Sequence, residues 1–218
     1  MRALQAPRAP RATTSGDSGD TARVTQDDAV YDAVVAAGGA GRRLGGVDKP
    51  ALTVGGRPLL DRVLTACAGA RHVLVVGPSR PTEHPGVHWL REDPPGGGPL
   101  AAVATAVPEV TSPLVLLLAA DLPFLDTTTV ERLLAAVGDA DGALLVDAEG
   151  RDQPLAAAYR TAALRRKLAA LPDPAGRPLR ALTGGLRLVR VPDPAGASFD
   201  CDTPQELAAA RQRAAGER

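Results

Sequence analysis

Tyr31-Asp-Ala-Val-Val-Ala-Ala-Gly-Gly-Ala-Gly-Arg-Arg-Leu-Gly-Gly-Val-Asp-Lys49 is the stretch on which the reading of this chain turns. Its first seven residues are an apolar run of the kind that forms a buried strand. The rest is a glycine-dense loop with two arginines, closed by a lysine. Glycine lets main-chain N–H groups approach phosphate oxygens without a Cβ in the way and supplies the positive φ of an anion-binding nest. Arg42, Arg43 and Lys49 bring the compensating charge. Lysine is scarce in this chain, with Lys49 and Lys167 the only two.

The loop is neither of the two common phosphate motifs. A P-loop needs Lys followed by Ser or Thr, whereas Lys49 stands between Asp48 and Pro50. In the dinucleotide fingerprint G-x-G-x-x-G the last glycine would fall at Leu44.

Composition narrows the remaining classes. The 218 residues suffice for one α/β domain over positions 29–218. Twenty-five basic residues balance 25 acidic ones, so no charge excess points to nucleic acid or a membrane surface. Positions 1–28 mix Arg, Pro, Ser, Thr, Gly and Asp without an apolar core and read as a disordered tail. No run approaches the roughly 18 apolar residues of a membrane span. Cys67 and Cys201 form neither a disulfide framework nor a metal-ligand cluster. They read as buried small hydrophobes in a reducing cytoplasm.

Apolar runs and amphipathic stretches alternate along the body. Strands are expected at 34–37, 73–76, 87–90, 114–120, 143–146 and 186–191. Helices are expected at 58–68, 99–107, 128–137, 161–170 and 204–214, three of them opened by proline. Thr203-Pro-Gln-Glu206 has the form of a capping box. This alternation predicts a three-layer, Rossmann-like α/β fold with a mostly parallel sheet, in which ligands bind beyond the carboxyl ends of the strands.

Chemistry-bearing residues fall where that rule puts them. Asp121 ends the run 114–120, and a carboxylate there suits a divalent cation bridging to phosphates. Asp200 and Asp202, two residues apart on an extended segment, point the same way. Asp202 offers a second metal ligand unless it, or Thr203, serves only to cap the last helix. Arg91-Glu-Asp93-Pro-Pro-Gly-Gly-Gly-Pro-Leu100 is a second glycine-rich turn, with Asp93 placed to accept hydrogen bonds from a base or sugar. Gly77-Pro78 is a similar, less informative turn. Residues 152–155 and the arginines of 177–180 are candidates to face an acceptor. His72, His84 and His88 lack metal spacing.

The glycine-rich stretch resembles the nucleotidyltransferase signature L-A-G-G-x-x-x-R-M-G-G-x-D-K, with Ala36 for Leu and Leu44 for Met. Together with E-D at 92–93, G-P-L-A at 98–101, A-D-L-P-F-L at 120–125, Q-P-L at 153–155 and D-C-D-T-P-Q-E-L at 200–207, it is similar to the molybdenum cofactor guanylyltransferase family. The resemblance implies a Rossmann-like nucleotidyltransferase fold. It also implies Mg²⁺-dependent transfer of GMP from GTP to the terminal phosphate of molybdopterin-bound molybdenum, with release of pyrophosphate. It implies nucleotide contacts at Ala36, Ala37, Gly38, Gly39, Lys49, Gly77, Asp93 and Asp121. Metal would be held by Asp121 and Asp202, and Lys49, Arg43 and Asp121 would carry catalysis. Transient contact with a molybdoenzyme or a delivery chaperone is implied as well.

Two departures bear on the base. Gly77 stands where the family usually has Asn, and D-C-D-T-P replaces N-x-N-T-P, a form closer to the molybdopterin cytidylyltransferases. Cytidylyl transfer, or transfer to another small phosphorylated acceptor, is therefore the alternative to guanylyl transfer. A non-catalytic nucleotide-binding partner in cofactor delivery is a third reading.

Overall fold

The computed structural model describes residues 30–39 and 44–216. The expected tail at 1–28 lies outside them. A seven-stranded sheet forms the centre, built from β1 (Tyr31–Ala36), β4 (Val73–Val76), β5 (Val87–Leu90), β6 (Leu114–Ala119), β7 (Gly142–Val146), β8 (Asp152–Arg160) and β9 (Leu188–Pro192) in the order β5-β4-β1-β6-β8-β7-β9. β5, β4, β1 and β6 run parallel, and β9 runs parallel to β7. β8 is antiparallel to both β6 and β7. The fold is the Rossmann-like nucleotidyltransferase fold with a largely parallel sheet.

Alternation along the strands divides the core between the two faces. Ala33, Val35, Val75, Leu116 and Leu118 pack on one side with α1 (Leu59–Ala66) and α3 (Thr127–Ala136). Val34, Leu74, Val76, Val115 and Leu117 pack on the other with α2 (Pro99–Ala106), α4 (Thr161–Ala169) and the single turn α5 (Arg180–Thr183). With so few aromatic residues, the core is built from Leu, Val and Ala. Cys67 and Cys201 are buried and unpaired, and burial pushes both thiols up to about 12.

A third, smaller cluster lies at the carboxyl end of the sheet. Val54 of the hairpin β2–β3 (Thr53–Val54, Arg57–Pro58) packs with Leu59, Cys201 and the inner face of α6 (Pro204–Gly216). The hairpin turns on Gly55 and Gly56, whose φ values of +61° and +83° suit a two-residue turn. At the start of α6 the capping box forms as expected. Thr203 N–H donates to Glu206 Oε2 at 2.7 Å, and Glu206 N–H donates to Thr203 Oγ1 at 3.2 Å.

The expected strands and helices are all present to within a few residues. β8 and the hairpin were not foreseen. The sequence of β8 is rich in alanine and contains Pro154, so it lacks the β-branched signature of a strand. The structure admits it because the ladder to β7 shifts register between Leu144 and Leu145, whose partners are Ala157 and Gln153. Pro154, which has no N–H to donate, falls within that irregularity.

Candidate active site

β1, β4, β5 and β6 all end at one rim, and a cavity of about 720 Å³ opens beyond their carboxyl ends. Ala36, Gly38 and Gly39 enter it from β1, and Ala119, Ala120 and Asp121 from β6. Lys49 and Pro50 arrive on a 3₁₀ turn over Lys49–Ala51. That turn is held from behind, because Arg80 donates to both carboxylate oxygens of the preceding Asp48 at 2.6–2.8 Å. Asp48 therefore positions the loop that carries Lys49, a role its place in the glycine-rich stretch did not reveal.

Lys49 Nζ is lodged between the carboxylates of Asp121 and Asp202. Burial acts against its charge, but the two carboxylates outweigh burial and hold the ammonium above the ordinary lysine range. Carboxylate oxygens of Asp121, Asp200 and Asp202 lie within 4.8 Å of one another. Partial desolvation, and then repulsion from Asp121 and Asp202, hold Asp200 above the ordinary aspartate range against the pull of Lys49. Three carboxylates thus face a single described ammonium.

The segment Asp200–Asp202 is aimed by the residue in its middle. Cys201 is fully buried in the cluster beneath α6, so the flanking aspartates turn outward into the cavity. Capping and site roles are divided: Thr203 caps α6, and Asp202 meets Lys49. An all-oxygen, carboxylate-rich donor set with excess negative charge fits a hard divalent cation such as Mg²⁺.

The structure brings Ala36, Gly38, Gly39, Lys49, Asp121 and Asp202 to one cavity. Arg43 lies outside the described residues. Ala37 is buried beneath the rim, with its N–H donated to the Val76 carbonyl at 2.8 Å. Gly77 packs against Ala37 and Gly38 and does not line the cavity. Asp93 is exposed and outside the lining, whereas its neighbour Glu92 is 8% exposed and faces inward. Sequence reasoning chose Asp93 of this pair, whereas the carboxylate that lines the cavity is Glu92. Alternation along the extended segment after β5 was the available signal. Leu155 joins the lining, while Gln153 donates to Asp147 and Asp152 pairs with Arg190. Arg177 and Arg180 are not part of the wall.

An open, mostly parallel sheet with glycines, a lysine and carboxylates gathered at its carboxyl rim defines an NTP transferase domain. Residues 33–196 match the MobA-like NTP transferase domain, and the chain belongs to that family. The molybdenum cofactor guanylyltransferase of Shewanella loihica is 30% identical over 129 residues, covering 57% of this chain and 66% of that protein. The probable molybdenum cofactor guanylyltransferase of Synechococcus elongatus is 37% identical over 100 residues, covering 43% and 51%. The chain therefore spans between half and two thirds of the length of these curated relatives.

Among solved structures, the 2-C-methyl-D-erythritol 4-phosphate cytidylyltransferase of Thermus thermophilus superposes with a TM-score of 0.66 at 26% identity, covering 85% of this chain and 99% of that one. Molybdopterin-guanine dinucleotide biosynthesis protein A of Archaeoglobus fulgidus gives 0.65 at 20% identity, covering 85% and 99%. The second likeness, at that identity, is one of fold. Among the described residues, no helix is long and apolar enough to cross a membrane.

Proposed function

We propose that this protein transfers a nucleoside monophosphate from an NTP to a small phosphorylated acceptor. Specifically, it transfers GMP from GTP to the terminal phosphate of molybdopterin-bound molybdenum, with release of pyrophosphate. The observation that carries the reading is Lys49 held between Asp121 and Asp202 at the rim where the glycine loop opens.

In this reaction an acceptor phosphate oxygen forms a bond to the α-phosphorus of GTP as the bond from that phosphorus to the β-bridging oxygen breaks. Pyrophosphate carries away the electron pair. Negative charge grows on the non-bridging α-oxygens and on the leaving group. Lys49 and Arg43 supply cationic donors for it, and the backbone at Gly38 and Gly39 can approach phosphate closely. When bound, Mg²⁺ at Asp121 and Asp202 supplies Lewis-acid charge neutralisation. The acceptor is already anionic near neutral pH, so no protein nucleophile or strong general base is required. Asp93, Gly77, Ala36 and Ala37 complete the proposed nucleotide contacts, the last two from beside and beneath the rim.

A second reading, cytidylyl transfer, is favoured by Gly77 in place of the family's usual Asn and by the form D-C-D-T-P at 200–204. Pyrophosphate release from each of GTP, CTP, ATP and UTP, with Mg²⁺ and molybdopterin acceptor, separates the two. Release from GTP alone supports guanylyl transfer, and release from CTP alone replaces it. No release from any of the four removes the catalytic reading and leaves a nucleotide-binding partner in cofactor delivery.

A further inference from the structure

The chain satisfies its buried carboxylates with some care, and one is treated differently. Asp32 accepts from the N–H groups of Thr111 and Ser112 and from Ser112 Oγ at 2.7–3.0 Å. Asp193 accepts from Ala197 N–H and from Ser198 N–H and Oγ at 2.7–2.9 Å. Glu92 is as buried as Asp121, at 8% exposure, and faces the cavity. Among the described residues, no hydrogen bond or ion pair engages its carboxylate, and neither oxygen is sealed away from the cavity. A carboxylate open only to the cavity is left without donors when a ligand fills that space, unless the ligand supplies them.

Its position says which part of a ligand that is. On the proposed reading the phosphates lie with Lys49 and Asp121, at the β6 side of the rim. Glu92 follows β5, the edge strand on the far side of β1 from β6. It reaches back towards β1, and a Cβ on Gly38 would lie 3.4 Å from its Oε1. Beside Arg91, the wall next to it is formed by Pro95, Gly96, Gly98, Pro99 and Ala102, whose small side chains leave room for a flat ring.

Resting on the guanylyl-transfer reading above, we infer that Glu92 is the residue that selects the base, accepting two hydrogen bonds from the Watson–Crick edge of guanine. A carboxylate offers two acceptors side by side and, when ionised, no donor. Guanine presents N1–H and the 2-amino group as adjacent donors and matches both. Adenine and cytosine each present one amino group next to an acceptor nitrogen, which the second carboxylate oxygen repels. Uracil offers one N–H between two carbonyls. A site built to pair a buried acceptor with substrate N–H groups discriminates strongly, because the wrong ligand leaves that acceptor unpaired.

The test is calorimetric binding of GTP, ITP, ATP and CTP, with Mg²⁺, to the full chain and to Glu92→Gln. ITP differs from GTP only by lacking the 2-amino group. The unaltered protein is expected to bind GTP roughly 10- to 100-fold more tightly than ITP, the worth of one charge-assisted hydrogen bond. In Glu92→Gln that ratio should fall towards one while ATP affinity rises, because the amide replaces the repelling oxygen with a donor for the adenine ring nitrogen. A GTP-to-ITP ratio near one in the unaltered protein overturns the inference without recourse to any variant. A ratio that survives in Glu92→Gln, or equal weakening of all four nucleotides as expected of a ribose contact, overturns it too. In both cases a preference for GTP over CTP in the unaltered protein would leave guanylyl transfer standing. A preference for CTP would remove both.

Discussion

The ammonium group of Lys49 forms an ion pair with the carboxylate of Asp121, with side-chain exposures of only 16% and 12%. One residue comes from the loop after β1 and the other from the end of β6, so the pair ties two strand ends across the cavity mouth. Asp202 completes the arrangement from the segment before α6.

Removing the cation should expose what it does for the reaction. Lys49→Ala is expected to slow nucleotidyl transfer by roughly 100- to 1000-fold, the usual cost of losing one charge-stabilising donor. Nucleotide affinity should fall much less. Single-turnover rates and calorimetric affinities on the same preparation would separate the two, and a near-normal rate would end the assignment.

The crowding of carboxylates predicts a trade between stability and metal binding. Asp200→Asn relieves repulsion with Asp121 and Asp202 and should raise the melting temperature of the metal-free protein by about 1–2 °C, a small gain because Asp200 is exposed. The same change should shrink the further rise produced by Mg²⁺. Melting curves with and without Mg²⁺ would show both effects, and an Mg²⁺ response equal to that of the unaltered protein would remove Asp200 from the metal site.

Far from the cavity, Asp32 sits fully buried near the amino end of β1. Burial opposes its ionisation, but the N–H groups of Thr111 and Ser112, the Ser112 hydroxyl and His72 outweigh burial and hold its pKa below the ordinary aspartate range. A depressed carboxylate pKa stabilises the fold above the unfolded value and loses that contribution as pH falls through the folded one. Asp32→Asn should therefore cost about 2 kcal/mol near pH 7. The gap should narrow below about pH 4, where the unfolded chain takes up the proton. Urea titrations between pH 7 and pH 3 would measure it, and a gap independent of pH would contradict the account.

Gly77 cannot readily be exchanged for the Asn usual in the guanylyltransferases. Its φ is +150°, and a Cβ there would lie 2.7 Å from the Ala37 carbonyl oxygen and 2.8 Å from the carbonyl carbon. Gly77→Asn is expected to cost about 3 kcal/mol, combining backbone strain with overpacking, and to lower the melting temperature by roughly 6–12 °C. A variant that melts with the unaltered protein would mean that the ends of β1 and β4 separate easily.

Much of this protein was legible in one dimension. Apolar runs at 31–37, 73–76 and 114–120 announced a doubly covered sheet, because strands buried on both faces cannot carry polar residues in alternation. The glycines, Lys49 and Asp121 announced the residues that gather at the carboxyl rim, because ligand-binding residues in such a sheet fall at strand ends. Thr203 and Glu206 announced their cap, since capping depends on residues only three apart. These are local relations, and a sequence records local relations directly.

What the sequence left open depends on residues far apart in the chain. The antiparallel insertion of β8 between β6 and β7 was decided by the partners on either side, which supply the ladder that an alanine-rich strand cannot specify for itself. Lys49 and Asp202, 153 positions apart, meet only because Cys201 is drawn into the core beneath α6. The choice of Glu92 over Asp93 as the inward carboxylate was likewise set by the direction in which the chain leaves β5. Each of these turns on where a side chain points once the sheet has formed, and packing fixes that direction.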